Sequence, residues 1–185
     1  ITVNISSPNT PNLRDLHDKK KILSLINLLQ NFQKNSVEKR AIIFKLSPNL
    51  KNSEIDTLSE IFLEKKIDGL ILTNTTVTGK ETLLDENKNK NGGLSGYPLS
   101  SISNHVIKYF YKNLKGIVPI IGAGGVTDGI SAYEKIKCGA SLLQLYTAMV
   151  FKGHYVASTI NKELSNLLKK DGLKNVSDAI GVNIN

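Results

Sequence analysis

Several clusters of amides, hydroxyls, glycines and one lysine have residue types and spacings that could do chemistry. The first, Val3 to Asp15 (V-N-I-S-S-P-N-T-P-N-L-R-D), sets polar side chains directly behind a short apolar run. Pro8 and Pro11 stiffen that loop and each removes a backbone donor. Ser7 is its chemical centre. A serine hydroxyl is a poor base at neutral pH and no G-x-S-x-G motif is present, so proton abstraction by Ser7 needs a relay through water or a neighbouring hydroxyl, Thr10 being the nearest. Asn4 and Asn9, with Asn74 from the later cluster Asn74-Thr75-Thr76, supply paired donors and acceptors for a planar, amide-rich substrate. The same residue types fill ordinary surface turns, so pattern alone leaves both readings open.

Lys45 interrupts the apolar run Ala41-Ile42-Ile43-Phe44-Lys45-Leu46. A lysine there either carries its ammonium to water at the strand end or meets an anionic partner, such as a bound cofactor bearing negative charge. Gly122-Ala123-Gly124-Gly125 ahead of a helix offers bare amide N–H groups beside a helix N-terminus, a combination that favours an anion such as the phosphate of a nucleotide-like cofactor. Glycine turns of this kind also occur without a ligand. Gly96, in Gly92-Gly93-Leu94-Ser95-Gly96, and the Tyr146-Thr147 pair add further donors. No metal is expected: Cys138 is the sole cysteine, in a setting that suits a small buried hydrophobe, and His17, His105 and His154 lie far apart.

The elements that must position these residues follow from hydrophobic periodicity. Lys20 to Lys34 has helical spacing, and Ala41 to Leu46 suits a strand buried on both faces. A helix capped by Asn52 or Ser53 follows, with Ile55, Leu58, Ile61 and Phe62 on its inner side, and then a strand over Ile67 to Thr73. A long polar segment from Thr78 to Asn91 precedes a helix from about Leu99 to Leu114. A strand at Val118 to Ile121, a helix over Gly129 to Lys137, a strand over Ala140 to Tyr146 with Thr147 to Phe151 as its exit, and a helix from His154 to Lys170 complete the pattern. Five strands separated by helix-length spacers argue for parallel strands joined by crossovers, whose ligands collect at the carboxyl ends. A doubly wound sheet would be complete with five strands; a (β/α)8 barrel needs eight and about 250 residues. Glycine turn, helix, then L-Y-T closing the next strand has the form of a barrel phosphate site, which favours a barrel whose last five βα units this chain supplies.

At 185 residues, 40% hydrophobic and 22% charged, the chain has the size and balance of one globular domain. Its net charge of +8 is almost all lysine, with arginine only at Arg14 and Arg40. The lysines are scattered among glutamates on expected helix faces, which reads as solvated surface and not as a nucleic-acid partner's footprint. No apolar run approaches the roughly 20 residues that span a bilayer. The chain opens inside an expected strand, from which an upstream portion, with any membrane-docking segment, is anticipated.

In order along the chain, N-I-S-S-P-N-T-P-N-L-R, F-K-L-S-P-N-L, L-T-N-T-T-V, G-G-L-S-G-Y-P-L, P-I-I-G-A-G-G-V and S-L-L-Q-L-Y-T-A resemble the dihydroorotate dehydrogenase family. The resemblance covers essentially the whole chain. It implies an FMN-binding (β/α)8 barrel in which residues 1–185 are the C-terminal part of a single domain, the first three units and the N-terminal docking helices lying outside. It also implies oxidation of dihydroorotate to orotate in de novo pyrimidine (UMP) biosynthesis. Serine rather than cysteine at position 7 resembles the class 2 members. That implies a quinone as electron acceptor and peripheral attachment to the bacterial cytoplasmic membrane or the mitochondrial inner membrane.

By the same motifs, Ser7 would take the proton from C5 of dihydroorotate while hydride leaves C6 for the flavin, and Thr10 would relay the proton outward. Asn4, Asn9, Asn74 and Thr75 would hold the substrate. Asn4, Lys45, Thr73, Gly96, Gly124, Gly125, Tyr146 and Thr147 would bind FMN. Asn12 replaces a glycine usual in the first motif, Asn49 an aspartate and Tyr97 a basic residue. Other readings stay open: another FMN-dependent barrel acting on a dihydropyrimidine, a tRNA-reducing flavoenzyme, or an inactive truncated product.

Overall fold

The apolar runs become short parallel strands in a computed structural model that describes residues 1–184. They are β1 (Thr2–Asn4), β2 (Ile43–Leu46), β3 (Gly69–Leu72), β4 (Ile120–Ala123) and β5 (Leu142–Gln144). Six α-helices accompany them: α1 (Lys19–Lys34), α2 (Asn52–Glu64), α3 (Ser100–Asn113), α4 (Gly129–Lys137), α5 (Thr147–Lys152) and α6 (Val156–Lys170). Every pairing is parallel and the strand order is the order in sequence, β1-β2-β3-β4-β5. A doubly wound sheet reverses its order at a switch point; this one does not, and α1 to α4 touch in succession as a single layer. The fold is therefore α/β, five consecutive βα units of barrel type.

Period-two alternation gives the sheet two unlike faces. Val3, Phe44, Leu70 and Ile120 stand in register on the helix side, and the last three are buried in the main core. There Phe62 of α2 stacks between Phe44 and Phe110 of α3, with ring centroids 6.1 and 6.4 Å apart. Asn4, Lys45, Ile71, Ile121 and Leu142 form the matching row on the opposite face, where Leu142 is 64% exposed.

Local chemistry sets the element ends. Asp18 caps α1 by accepting from the N–H groups of Lys20 and Lys21, and Asp128 caps α4 by accepting from Ser131 N–H at 2.8 Å. The cap expected of Asn52 or Ser53 falls instead at Lys51, whose N–H donates to Glu54 at 2.7 Å. The last strand is shorter than expected, because Ala140 is already buried in the core and β5 pairs with β4 only over Leu142–Gln144. Its exit, Thr147–Lys152, is a helix of its own, making six α-helices where five were expected. The polar segment 78–91 holds two short 3-10 turns, and its ends are drawn together by an antiparallel bridge between Thr76 and Leu94.

Candidate functional site

The carboxyl ends of β2 to β5 surround one cavity of about 390 Å³, within the range of cofactor sites. Lys45 comes from β2; Thr73, Asn74 and Thr75 follow β3; Ser95 and Gly96 precede α3. Gly124 and Gly125 follow β4, and Gln144, Tyr146 and Thr147 come from the end of β5. The lysine and the diglycine turn thus line the same cavity, although 79 positions separate Lys45 from Gly124.

Lys45 is half-buried, and its ammonium forms neither an ion pair nor a hydrogen bond within the described residues. Burial alone pushes its pKa below the usual lysine value. A cation held this way is complementary to negative charge in the cavity. On the opposite wall Gly125 has φ +75, and a Cβ there would lie 2.4 Å from Ser100 Cβ, so only glycine brings this backbone against the start of α3. Thr147 Oγ1 donates to Ser95 Oγ at 2.9 Å, fastening the loop before α3 to the turn after β5. Thr73 is buried; its N–H donates to Ala123 O at 2.9 Å and its hydroxyl to Asn74 O at 3.0 Å, and the Leu72–Thr73 peptide is cis.

Asn74 connects this cavity to the end of β1. Its Nδ2 donates to Asn4 Oδ1 at 3.2 Å and to Ser6 Oγ at 3.0 Å, while its Oδ1 accepts from Thr75 N–H at 2.8 Å. Ser7 is half-buried on the loop beyond, where its Oγ accepts from Asn9 N–H at 3.3 Å. That loop leans on the same side as the β3 tip: a Cβ on Gly93 would meet Thr75 Oγ1 at 1.9 Å and Pro8 Cγ at 2.9 Å. Ser7 and Thr10 lie outside the cavity lining, and no hydrogen bond joins their hydroxyls among the described residues. Thr10 is exposed, and Asn9 lines a neighbouring open depression with Pro8, Lys80 and Gly92.

The structure thus gathers Lys45, Thr73, Asn74, Thr75, Gly96, Gly124, Gly125, Tyr146 and Thr147 around one cavity and links Asn4 to it through Asn74. Ser7, Asn9 and Thr10 stand together at its β1 side. Sequence reading passed over Ser6, which is fully buried and bridges Asn4 and Asn74, and Gln144, which lines the cavity. Gln144 carried the same signal as Lys45, a polar residue breaking the apolar run S-L-L-Q-L-Y. Cys138 is buried as expected, its pKa raised chiefly by burial.

The chain matches the protein family described as dihydroorotate dehydrogenase over residues 1–168. A dihydroorotate dehydrogenase (quinone) of Azorhizobium caulinodans is 38% identical across 100% of this chain and 53% of its own length. The mitochondrial dihydroorotate dehydrogenase (quinone) of Mus musculus is 42% identical across 98% of this chain and 47% of its own. A crystal structure of ligand-free DHODH from Eimeria tenella matches with a TM-score of 0.96 and 37% identity, over 100% of this chain and 55% of that one. The chain spans about half the length of the curated relatives it matches.

Proposed function

The chain belongs to the dihydroorotate dehydrogenase family, and on that premise we propose that residues 1–185 are the C-terminal part of one FMN-binding (β/α)8 barrel domain. The whole protein then oxidises dihydroorotate to orotate in pyrimidine biosynthesis and passes the electrons to a quinone. One observation carries the reading: a half-buried lysine with no ion pair or hydrogen bond among the described residues lines the same cavity as the glycine turn after β4 and the first residue of α5.

The residues fit FMN. Gly96, Gly124 and Gly125, with Tyr146 and Thr147, would hold its phosphate end, where backbone amides and the start of a helix favour an anion. Thr73 and Asn4 would contact the ring, and Lys45 would balance negative charge on it. The flavin, when bound, supplies the acceptor for the hydride. Asn4, Asn9, Asn74 and Thr75 would hold the substrate by its amide edges. Asn74 is fixed for that task by its bonds to Asn4, Ser6 and Thr75.

Ser7 would remove the substrate proton. A hydroxyl must pass that proton on, and Ser7 stands on a loop whose outer residues Asn9 and Thr10 are exposed, so the outward route leads toward solvent by way of Thr10. Among the described residues no helix is long and apolar enough to cross a membrane. Peripheral attachment to the bacterial cytoplasmic or mitochondrial inner membrane is assigned to the part of the whole protein beyond these residues.

The test is acceptor choice: full-length protein, supplied with dihydroorotate, should turn over with a soluble quinone and only slowly with fumarate or NAD+. Turnover as fast with fumarate or NAD+ as with quinone would overturn the class assignment. Turnover of a dihydropyrimidine in preference to dihydroorotate would overturn the substrate.

A further inference from the structure

On the helix side of the glycine turn lies a lysine that the expectation of a solvated lysine surface does not fit. Lys135, on α4, is 0% exposed. Its aliphatic stem passes behind β4, so close that a Cβ on Gly122 would lie 2.7 Å from Lys135 Cδ. Its ammonium donates to Ser103 Oγ at 3.0 Å and to Asn104 Oδ1 at 2.6 Å, and Ser103 Oγ donates to Ala123 O at 2.6 Å. An ammonium can only donate, so Ser103 must accept from it and turn its single hydroxyl hydrogen to the Ala123 carbonyl. That carbonyl belongs to the peptide joining Ala123 to Gly124, the entry to the cavity's glycine turn.

We propose that Lys135 is a positioning residue for phosphate recognition: through Ser103 it fixes and polarises the Ala123–Gly124 peptide and places a buried positive charge behind the anion-binding turn. The inference rests on the reading of that turn as the site of the flavin phosphate. It explains why an ammonium is kept in a place where a methionine of similar length would cost no desolvation. No carboxylate is bonded to it among the described residues. Cys138, the residue that follows α4, is a titratable group near it; burial raises its pKa, so the thiol is uncharged near neutrality. From the other elements packed on α4, Glu163 accepts from Gly129 N–H, Asp171 accepts from Tyr133 Oη and Asp178 accepts from Asn175 N–H, while Lys108 of α3 acts on Cys138.

The test compares FMN with riboflavin, which lacks the phosphate, by equilibrium fluorescence titration of flavin-stripped full-length protein. Lys135→Met should weaken FMN about tenfold, the scale of one charge-assisted interaction, and leave riboflavin within twofold. A general loosening of the fold would weaken both alike, and equal losses, or none, would overturn the proposal. A second measurement needs no variant and stands even if Lys135→Met does not fold. Burial pushes Lys135 down to about 8, and the second ionisation of a phosphate, near pH 6, is largely over by about pH 7.5, so the wild-type preference for FMN over riboflavin should fall between about pH 7.5 and pH 10. A preference constant across that range would overturn it too. Wild-type protein that binds FMN no tighter than riboflavin would overturn the phosphate reading itself, whereas a preference the variant keeps would overturn only the role of Lys135.

Discussion

On the helix side of the sheet Phe44, Leu70 and Ile120 are sealed beneath α2 and α3, while on the other side of the same strands Lys45 lines a cavity and has no ion pair or hydrogen bond among the described residues. Alternation forces both sets from the same few residues, since each step along a strand changes face. The closed face gains its stability from apolar burial. The cavity face gives some of it up, holding a cation with no ion pair among the described residues and bare glycine backbone where packing would prefer side chains. Stability and binding therefore map to opposite sides of one layer, and substitutions should separate them.

The largest effect is expected on the open side. Ser7→Ala in the full-length protein should slow dihydroorotate oxidation by roughly 10²–10⁴-fold, the range for a lost general base, with flavin content retained. Near-normal turnover of that variant across pH would remove Ser7 from the reaction. On the closed side, Phe62→Ala opens the stack between Phe44 and Phe110 and should cost about 3–5 kcal/mol in denaturant unfolding. A loss below about 1 kcal/mol would mean that the faces do not differ as described.

A smaller effect sharpens the contrast. Lys45→Met removes a cation whose pKa burial has already lowered, so thermal stability of the flavin-free protein should hold or rise slightly while FMN affinity drops about tenfold. A destabilised variant with unchanged flavin affinity would reverse the assignment.

The smallest effect concerns pH. Lys135 releases its proton near pH 8 in the folded chain and near its ordinary 10.5 when unfolded, so between those values the unfolded chain binds more protons. In that window the contribution of Lys135 to stability should increase with pH, and the wild-type unfolding curve should change more steeply with pH than that of Lys135→Met. Parallel curves would show that the ammonium is not buried in solution.

Much of this is legible in the amino-acid sequence. A lysine inside A-I-I-F-K-L and glycines between an apolar run and a helix are local violations of pattern, and Lys45, Gly124 and Gly125 line the cavity. Strand ends were less legible, because pairing decides them: Ala140 belongs to an apolar run, yet β5 begins at Leu142, where its register with Ile121 starts. The six-residue α5 was too short for its periodicity to show. Lys135 was hidden for another reason. In E-K-I-K it resembles the partly exposed Glu134 and Lys137 by composition, and only the approach of Gly122 and Ser103 shows that this lysine points inward.

The central claim is that the tips of these strands form a single flavin site served by an alcohol side chain. Its most direct test is anaerobic mixing of purified full-length protein with dihydroorotate while the flavin absorbance is recorded. Bound flavin should bleach with one orotate formed per flavin and regain its colour on adding quinone. Protein purified without flavin and unable to take it up, or flavin that stays oxidised in the presence of dihydroorotate, would contradict it.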